Sequence, residues 1–171
     1  MQIPTIADLY RAKSLVIGKY LMKIGCPKED AEDIIQNTFS KAVEHMIHLT
    51  VDNPSAWLFK VSINNYYDLC RKQQRYPHVQ IDESFLENMG RTREDGEHVL
   101  LQYEQKKEIE AVLNRLNPTQ SNLLVLKYEM GLSYEEMSGL LDIKVDTIRT
   151  TLYRSRQKFK QEWSECIERQ S

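Results

Sequence analysis

Apolar residues recur at intervals of three and four along most of this 171-residue chain, and the alternating pattern of a strand is nearly absent. Ile6, Leu9 and Tyr10 open an amphipathic segment that continues through Val16, Ile17, Tyr20, Leu21 and Ile24. Pro27 suits the first turn of a second helix. Glu29, Asp30, Glu32 and Asp33 crowd its start, where the positive end of the helix dipole favours carboxylates. Ile34, Ile35, Phe39, Ala42, Val43, Met46 and Ile47 supply its apolar side. Asn53-Pro54 predicts an N-cap followed by proline, and a third helix from about Ser55 to Arg71 or beyond.

The periodicity fails over residues 73–98, which hold Pro77, Gly90, Gly96 and a run of acids. They read as a flexible linker with at most short helical pieces. Order returns near Val99, and Ile109, Val112, Leu113 and Leu116 mark a further helix. Asn117-Pro118 starts the next, which carries Leu123, Leu126 and Met130 until Gly131 stops it. Ser133 and Glu136 stand at capping-box spacing, ahead of Met137, Leu140 and Leu141. After a short turn at Asp142–Lys144, the last helix sets Val145, Ile148, Leu152 and Phe159 on one face. Arg149, Tyr153, Arg154, Arg156, Gln157, Lys158 and Lys160 are read onto its other faces. The expected fold is all-α: two small helical domains, 1–72 and 99–171, joined by a flexible acidic linker at 73–98.

Two short helices with a basic second member match a helix-turn-helix, whose second helix enters the major groove of DNA. A helical hairpin with a solvated basic face fits the same residues. The net charge of −2 argues against a stand-alone DNA binder. The charges are segregated, however. Lys144–Lys160 and Lys60–Arg75 are basic, while Asp82, Glu83, Glu87, Glu94, Asp95 and Glu97 make an acidic run between them, offset only by Arg91 and Arg93. Cys26, Cys70 and Cys166 are odd in number and lack C-x-x-C spacing, which argues against a disulfide framework or zinc site. No apolar run reaches the length of a membrane span, and the N-terminus lacks the pattern of a secretory signal. A cytoplasmic location is expected.

Trp57, Phe59, Tyr66 and Tyr67 sit among Lys60, Arg71, Lys72 and Arg75. Aromatic rings interleaved with cations suit single-stranded DNA, because rings stack on bases while cations follow the phosphates. Trp57 also fits a core position, since the helix needs a buried face. The acids Glu29–Asp33 read as dipole compensation plus a protein interface, with a divalent-cation site as the alternative. His45 and His48 lie beside Glu44, but di-iron chemistry needs E-x-x-H motifs on two helices and the chain has none. No metal, cofactor or catalytic residue is expected.

Three blocks together resemble the extracytoplasmic-function sigma factors of the bacterial sigma-70 family. DAEDIIQNTFSKA at Asp30–Ala42 is similar to region 2.2. NPSAWLFKVSINNYYDLCRKQQR at Asn53–Arg75 is similar to regions 2.3 and 2.4. The stretch from LNPTQSNLLVLKYEMGLSYEEMSGLLDI through the basic helix is similar to region 4. The blocks occur in the family's order and cover nearly all of the chain apart from the linker.

The resemblance implies a sigma-2 domain, a linker and a sigma-4 domain with the following roles. Asp33, Gln36 and Asn37 fall where the family contacts the clamp helices of the polymerase largest subunit, although relatives often have glutamate at the position of Asn37. Trp57, Asn65, Asp68 and Arg71 align with a W…N-x-x-D-x-x-R pattern. They place Trp57, Lys60, Asn64, Asn65, Tyr67, Arg71, Lys72 and Arg75 at the −10 element. The preceding loop, about Leu49–Asn53, falls where relatives capture a flipped base. Lys144, Asp146, Thr147, Arg149, Thr150, Tyr153, Arg154 and Arg156 fall at the −35 element. Arg149 is the best candidate for a base edge there, and Arg154 and Arg156 for phosphates. Lys144, Asp146 and Thr151 replace the family's serine, glycine and arginine, so the family's −35 preference does not carry over to this chain, although DNA binding is still implied. The implied partners are core RNA polymerase, promoter DNA and an anti-sigma factor, commonly membrane-anchored; no small-molecule substrate is implied. The acidic linker is expected to thread toward positively walled channels of the polymerase. Rival readings are a stand-alone dimeric helix-turn-helix regulator and a helical metal hydrolase built on Glu29–Asp33 and the histidines.

Overall fold

A computed structural model describes residues 5–46, 53–82, 84–90 and 106–170, without the side chains of Met46 and Leu86. The chain forms two compact units. The first ends at His78 and includes Gly139–Asp142; the second takes the remainder from Val79.

The first unit is built on α1 (Ile6–Lys23), α2 (Lys28–Met46) and α3 (Pro54–Lys72), each packed on the other two. A capping box starts α1: the Thr5 hydroxyl accepts from the Asp8 amide at 3.2 Å, and the Asp8 carboxylate accepts from the Thr5 amide at 3.0 Å. The α1–α2 turn passes through Gly25 at φ +96°, where a Cβ would stand 2.9 Å from the His78 carbonyl oxygen. Glycine is therefore required both by conformation and by space. Asn53 caps α3 by accepting from the Ala56 amide at 3.0 Å, with Pro54 in its first turn.

Buried apolar faces close this unit: Ile17, Tyr20 and Leu21 of α1, Ile34, Ile35 and Phe39 of α2, and Leu58, Phe59, Ile63 and Tyr66 of α3. Val43, expected on the apolar side of α2, is exposed. Buried Thr38 ties α2 to α3. Its hydroxyl donates to the Ile34 carbonyl at 2.7 Å and accepts from Ser62 and Asn65, each at 3.3 Å.

The second unit begins earlier than the sequence suggests. Residues 79–89 fall within the expected linker, yet Val79, Ile81, Phe85 and Met89 are buried in this unit. The Val79 amide donates to the Asn114 side chain at 3.0 Å, and the Asp82 amide to the Glu129 carboxylate at 2.8 Å. A short helix, α4 (Phe85–Gly90), follows, and Asn88 donates to the Tyr128 carbonyl at 3.1 Å. The segment is thus a strap held by four apolar anchors. Glu83 and residues 91–98 of the expected linker, including Glu94, Asp95 and Glu97, and the expected restart near Val99 lie outside the described residues.

Helices α5 (Lys106–Arg115) and α6 (Pro118–Leu124) pack against the long α8 (Val145–Gln170). Asn117 caps α6, accepting from the Gln120 amide at 2.9 Å. Beyond α6 the chain widens into a π-helical turn, Val125–Glu129, closed by Met130 donating to the Val125 carbonyl at 3.0 Å. Gly131 then leaves the helix at φ +69°. Helix α7 (Tyr134–Leu141) has the predicted capping box, with Glu136 accepting from the Ser133 amide at 2.7 Å and Ser133 accepting from the Glu136 amide at 3.1 Å. Asp142, at φ +56°, turns the chain toward α8. The α7–turn–α8 segment is the predicted helix-turn-helix.

Candidate functional site

On α2 the exposed residues Glu29, Asp33, Gln36, Asn37 and Ser40 recur at helical spacing and form a polar ridge. The ridge separates two open grooves of the first unit. Asp33 and Asn37 line the groove facing α3, together with Asn65, Asp68 and Lys72. Gln36 lines the other, beside Tyr10, Leu15 and Met22 of α1. The three residues assigned to polymerase contact are therefore all exposed, but they span the ridge rather than one flank of it.

On α3, Trp57, Lys60, Asn64, Tyr67 and Arg71 lie along one stripe, opposite the buried Leu58, Phe59, Ser62, Ile63, Tyr66 and Cys70. Lys60, Asn64 and Arg71 are exposed and Trp57 and Tyr67 half-buried. Trp57 is not a core residue; its ring centroid stands 6.0 Å from that of exposed His45, edge to face. Arg71 pairs with Asp68 on the surface. Lys72 and Arg75 extend the basic end, where Arg75 approaches the Asp30 carboxylate at 3.5 Å. Asn65 departs from this set: it is half-buried and its amide donates to Thr38, so it joins helices. The loop expected to precede the stripe lies outside the described residues except for Asn53.

Beneath the basic end of α3 the interior is apolar but carries two thiols. Cys26 and Cys70 are both buried. Burial, reinforced by the charges of Asp30 and Cys70, pushes the Cys26 thiol up to about 12 against the opposing pull of Arg75. Burial likewise raises the Tyr66 hydroxyl, which donates to the Ile24 carbonyl at 3.2 Å. Both groups remain neutral at physiological pH, and neither resembles an activated nucleophile.

In the second unit, α8 exposes Asp146, Thr147, Arg149, Thr150, Tyr153 and Arg154, with Lys144 exposed just before it. Asp146 lies in the first turn. Thr150 turns its hydroxyl back to the Asp146 carbonyl at 3.0 Å. The Arg149 guanidinium stands over the Tyr134 ring, 5.1 Å from its centroid, and the Lys127 ammonium stands over the same ring at 4.5 Å. Sequence reasoning missed Tyr134 and Lys127 because their proximity to Arg149 is tertiary.

Arg156 is a correction. Only 2% of it is exposed, and its guanidinium donates to the Tyr128 hydroxyl at 2.8 Å. It follows Leu152 by four residues and precedes Phe159 by three, so it falls on the buried face. It is part of the interior and not a surface cation. Among the described residues no helix is long and apolar enough to cross a membrane.

An aromatic and basic helix, α3, and a helix-turn-helix ending in the basic α8 match the pattern of a class, the modular helical DNA-binding proteins. Comparison with known proteins narrows it. The family model for Sigma-70 region 2 matches residues 9–76, and that for Sigma-70 region 4 matches residues 106–159. The ECF RNA polymerase sigma factor SigM of Bacillus subtilis (strain 168) is 26% identical over 157 residues, covering 91% of this chain and 93% of that protein. The ECF RNA polymerase sigma-E factor of Escherichia coli (strain K12) is 26% identical over 162 residues, covering 86% and 84% respectively. Among solved structures, CnrH in complex with the cytosolic domain of CnrY shares the fold, with a TM-score of 0.55 at 22% identity over 97% of this chain and 89% of that one. The chain belongs to the sigma-70 family and is an RNA polymerase sigma factor of the extracytoplasmic-function type.

Proposed function

We propose that this sigma factor divides promoter recognition between its two units while seated on core RNA polymerase. The observation that carries the reading is the stripe Trp57–Lys60–Asn64–Tyr67–Arg71, which sets two half-buried aromatic rings beside exposed cations along one helix face. Rings on that stripe stack on unpaired −10 bases, and Lys60, Arg71, Lys72 and Arg75 follow the strand's phosphates. Stacking contributes roughly 1–3 kcal/mol per base. Unstacking and unpairing a base costs a few kcal/mol. A few captured bases therefore hold a bubble open only when the polymerase supplies the rest.

The ridge bearing Asp33, Gln36 and Asn37 docks on the clamp helices of the polymerase largest subunit. Helix α8 enters the major groove at the −35 element, with Arg149 at a base edge and Lys144, Thr147, Thr150, Tyr153 and Arg154 on the backbone. Asp146, near the same surface, disfavours an adjacent phosphate and narrows the register that α8 adopts. The chain works in the cytoplasm and has no catalytic role; nucleotide chemistry belongs to the polymerase. An anti-sigma factor is the expected negative partner. CnrH, captured with the cytosolic domain of another protein, supports this expectation.

Run-off transcription tests the reading. Purified core enzyme with this chain initiates at a matched promoter, and core enzyme alone does not. Trp57→Ala together with Lys60→Ala abolishes permanganate reactivity of −10 thymines while leaving recruitment to core unchanged. Tight promoter binding by the free chain, indifferent to added core, overturns the proposal.

A further inference from the structure

The ring of Tyr134 has two cations over it, and they are not equivalent. Lys127 comes from the π-helical turn and is already anchored, its ammonium donating to the Leu132 carbonyl at 3.2 Å. Arg149 comes from the first turns of α8, where its residue is exposed. Tyr134 is the first residue of α7, immediately after Ser133, whose capping box fixes the start of that helix. The ring is therefore mounted on a defined helix end beside an anchored lysine.

A guanidinium on an exposed helix surface ordinarily samples many rotamers, and ordering a long side chain at an interface opposes binding. The negative face of an aromatic ring restrains it in advance while leaving the N–H edge free to donate. A flat guanidinium held by its face still presents the paired donors that match the acceptors of guanine in the major groove. The charge of Lys127 at the same ring adds repulsion between the two cations, which disfavours any drift of Arg149 toward the π-helical turn.

We propose that Tyr134 is a positioning residue for −35 readout, pre-orienting Arg149 toward the major groove with Lys127 as its electrostatic stop. The inference rests on the assignment of Arg149 to a base edge. It adds a residue from the first helix of the helix-turn-helix to the specificity apparatus, acting through another side chain.

The test is a double-mutant cycle in holoenzyme reconstituted with full-length chain, reading affinity for a promoter with its matched −35 element against one with that element scrambled. Tyr134→Phe keeps the ring and retains the wild-type ratio. Tyr134→Leu lowers the ratio by about threefold to fivefold, the size of an exposed to partly buried cation–π contact. In an Arg149→Ala background Tyr134→Leu produces no further loss. Carbon-bound Arg149 side-chain protons in the free protein show a ring-current shift that survives Tyr134→Phe and disappears in Tyr134→Leu. A Tyr134→Leu loss of equal size in both backgrounds overturns the inference, since the ring then acts by itself or through the fold. A ratio that Arg149→Ala leaves unchanged overturns the base-edge assignment, and the positioning role falls with it. Thermal unfolding of each variant separates either result from loss of the folded unit.

Discussion

Arg154 and Arg156 are two residues apart on one helix and live in different media. Arg154 is exposed, whereas the Arg156 guanidinium sits inside the second unit against the Tyr128 hydroxyl. A buried cation requires several partners, and truncating it leaves those groups unsatisfied. Arg156→Ala is expected to destabilise the second unit by roughly 2–3 kcal/mol, the scale of hydrogen bonds to a charged group. Arg154→Ala is expected to stay within about 0.5 kcal/mol of wild type, as surface substitutions usually do. Urea unfolding of the two variants checks the contrast. Cys26 gives a second residue-scale expectation. Its thiol is raised to about 12, so the folded state retains a proton that the unfolded state releases near the ordinary cysteine value. The contribution of this group to stability is complete at neutral pH and is lost as pH climbs from about 9 toward 12. Replacing Cys26 with alanine, which cannot ionise, flattens that part of the alkaline decline. Unfolding measured across this pH range in both proteins reads the difference.

At the scale of elements, the strap is the part of the molecule whose role was least visible beforehand. Phe85 is completely buried, its ring centroid 6.1 Å from that of Tyr128 and 6.3 Å from that of Phe159. Phe85→Ala leaves a cavity beneath α4 and is expected to destabilise the second unit by about 3–5 kcal/mol. Amide exchange at Val79, Ile81 and Asp82 accelerates in step if the strap opens as one piece. The longer helices were legible because each repeats an apolar face over several turns, and because Asn53-Pro54, Asn117-Pro118 and Ser133-x-x-Glu136 mark their starts. The strap carries Val79, Ile81, Phe85, Leu86 and Met89 within eleven residues, among Asp82, Glu83 and Glu87, too short a run for a period to stand out. Its identity depends on what it packs against. The stripe on α3 was readable for the opposite reason: spacing alone puts Trp57, Lys60, Asn64, Tyr67 and Arg71 on one side. The same spacing, applied strictly to Leu152, Arg156 and Phe159, identifies Arg156 as interior. The assumption that arginine belongs on the surface concealed it. Asn65 could not be separated from Asn64 by residue type, and only the partner Thr38 distinguishes their roles.

For the whole molecule the governing quantity is the mismatch between net charge and task. The chain carries 23 basic and 25 acidic residues, a formal charge of −2, yet two of its surfaces are assigned to nucleic acid. Long-range attraction to DNA is weak for such a chain, and the local cations work only when something else delivers them to the phosphates. Affinity of the free chain for promoter duplex is therefore expected to be low, with little discrimination between matched and scrambled sites. The holoenzyme is expected to bind with strong salt dependence, because most of the displaced counterions belong to contacts made by the polymerase together with α3 and α8. Within that total, each phosphate contact contributes about one unit to the slope of log affinity against log salt. Arg154→Ala should reduce the holoenzyme slope by about one and weaken matched and scrambled promoters alike. Arg149→Ala should leave the slope nearly unchanged while eroding the preference for the matched −35 element. Titrations of labelled promoter at several potassium chloride concentrations separate the two. If both substitutions move slope and preference together, phosphate and base contacts have not been divided between these arginines, and the recognition helix is seated differently from the geometry proposed for it.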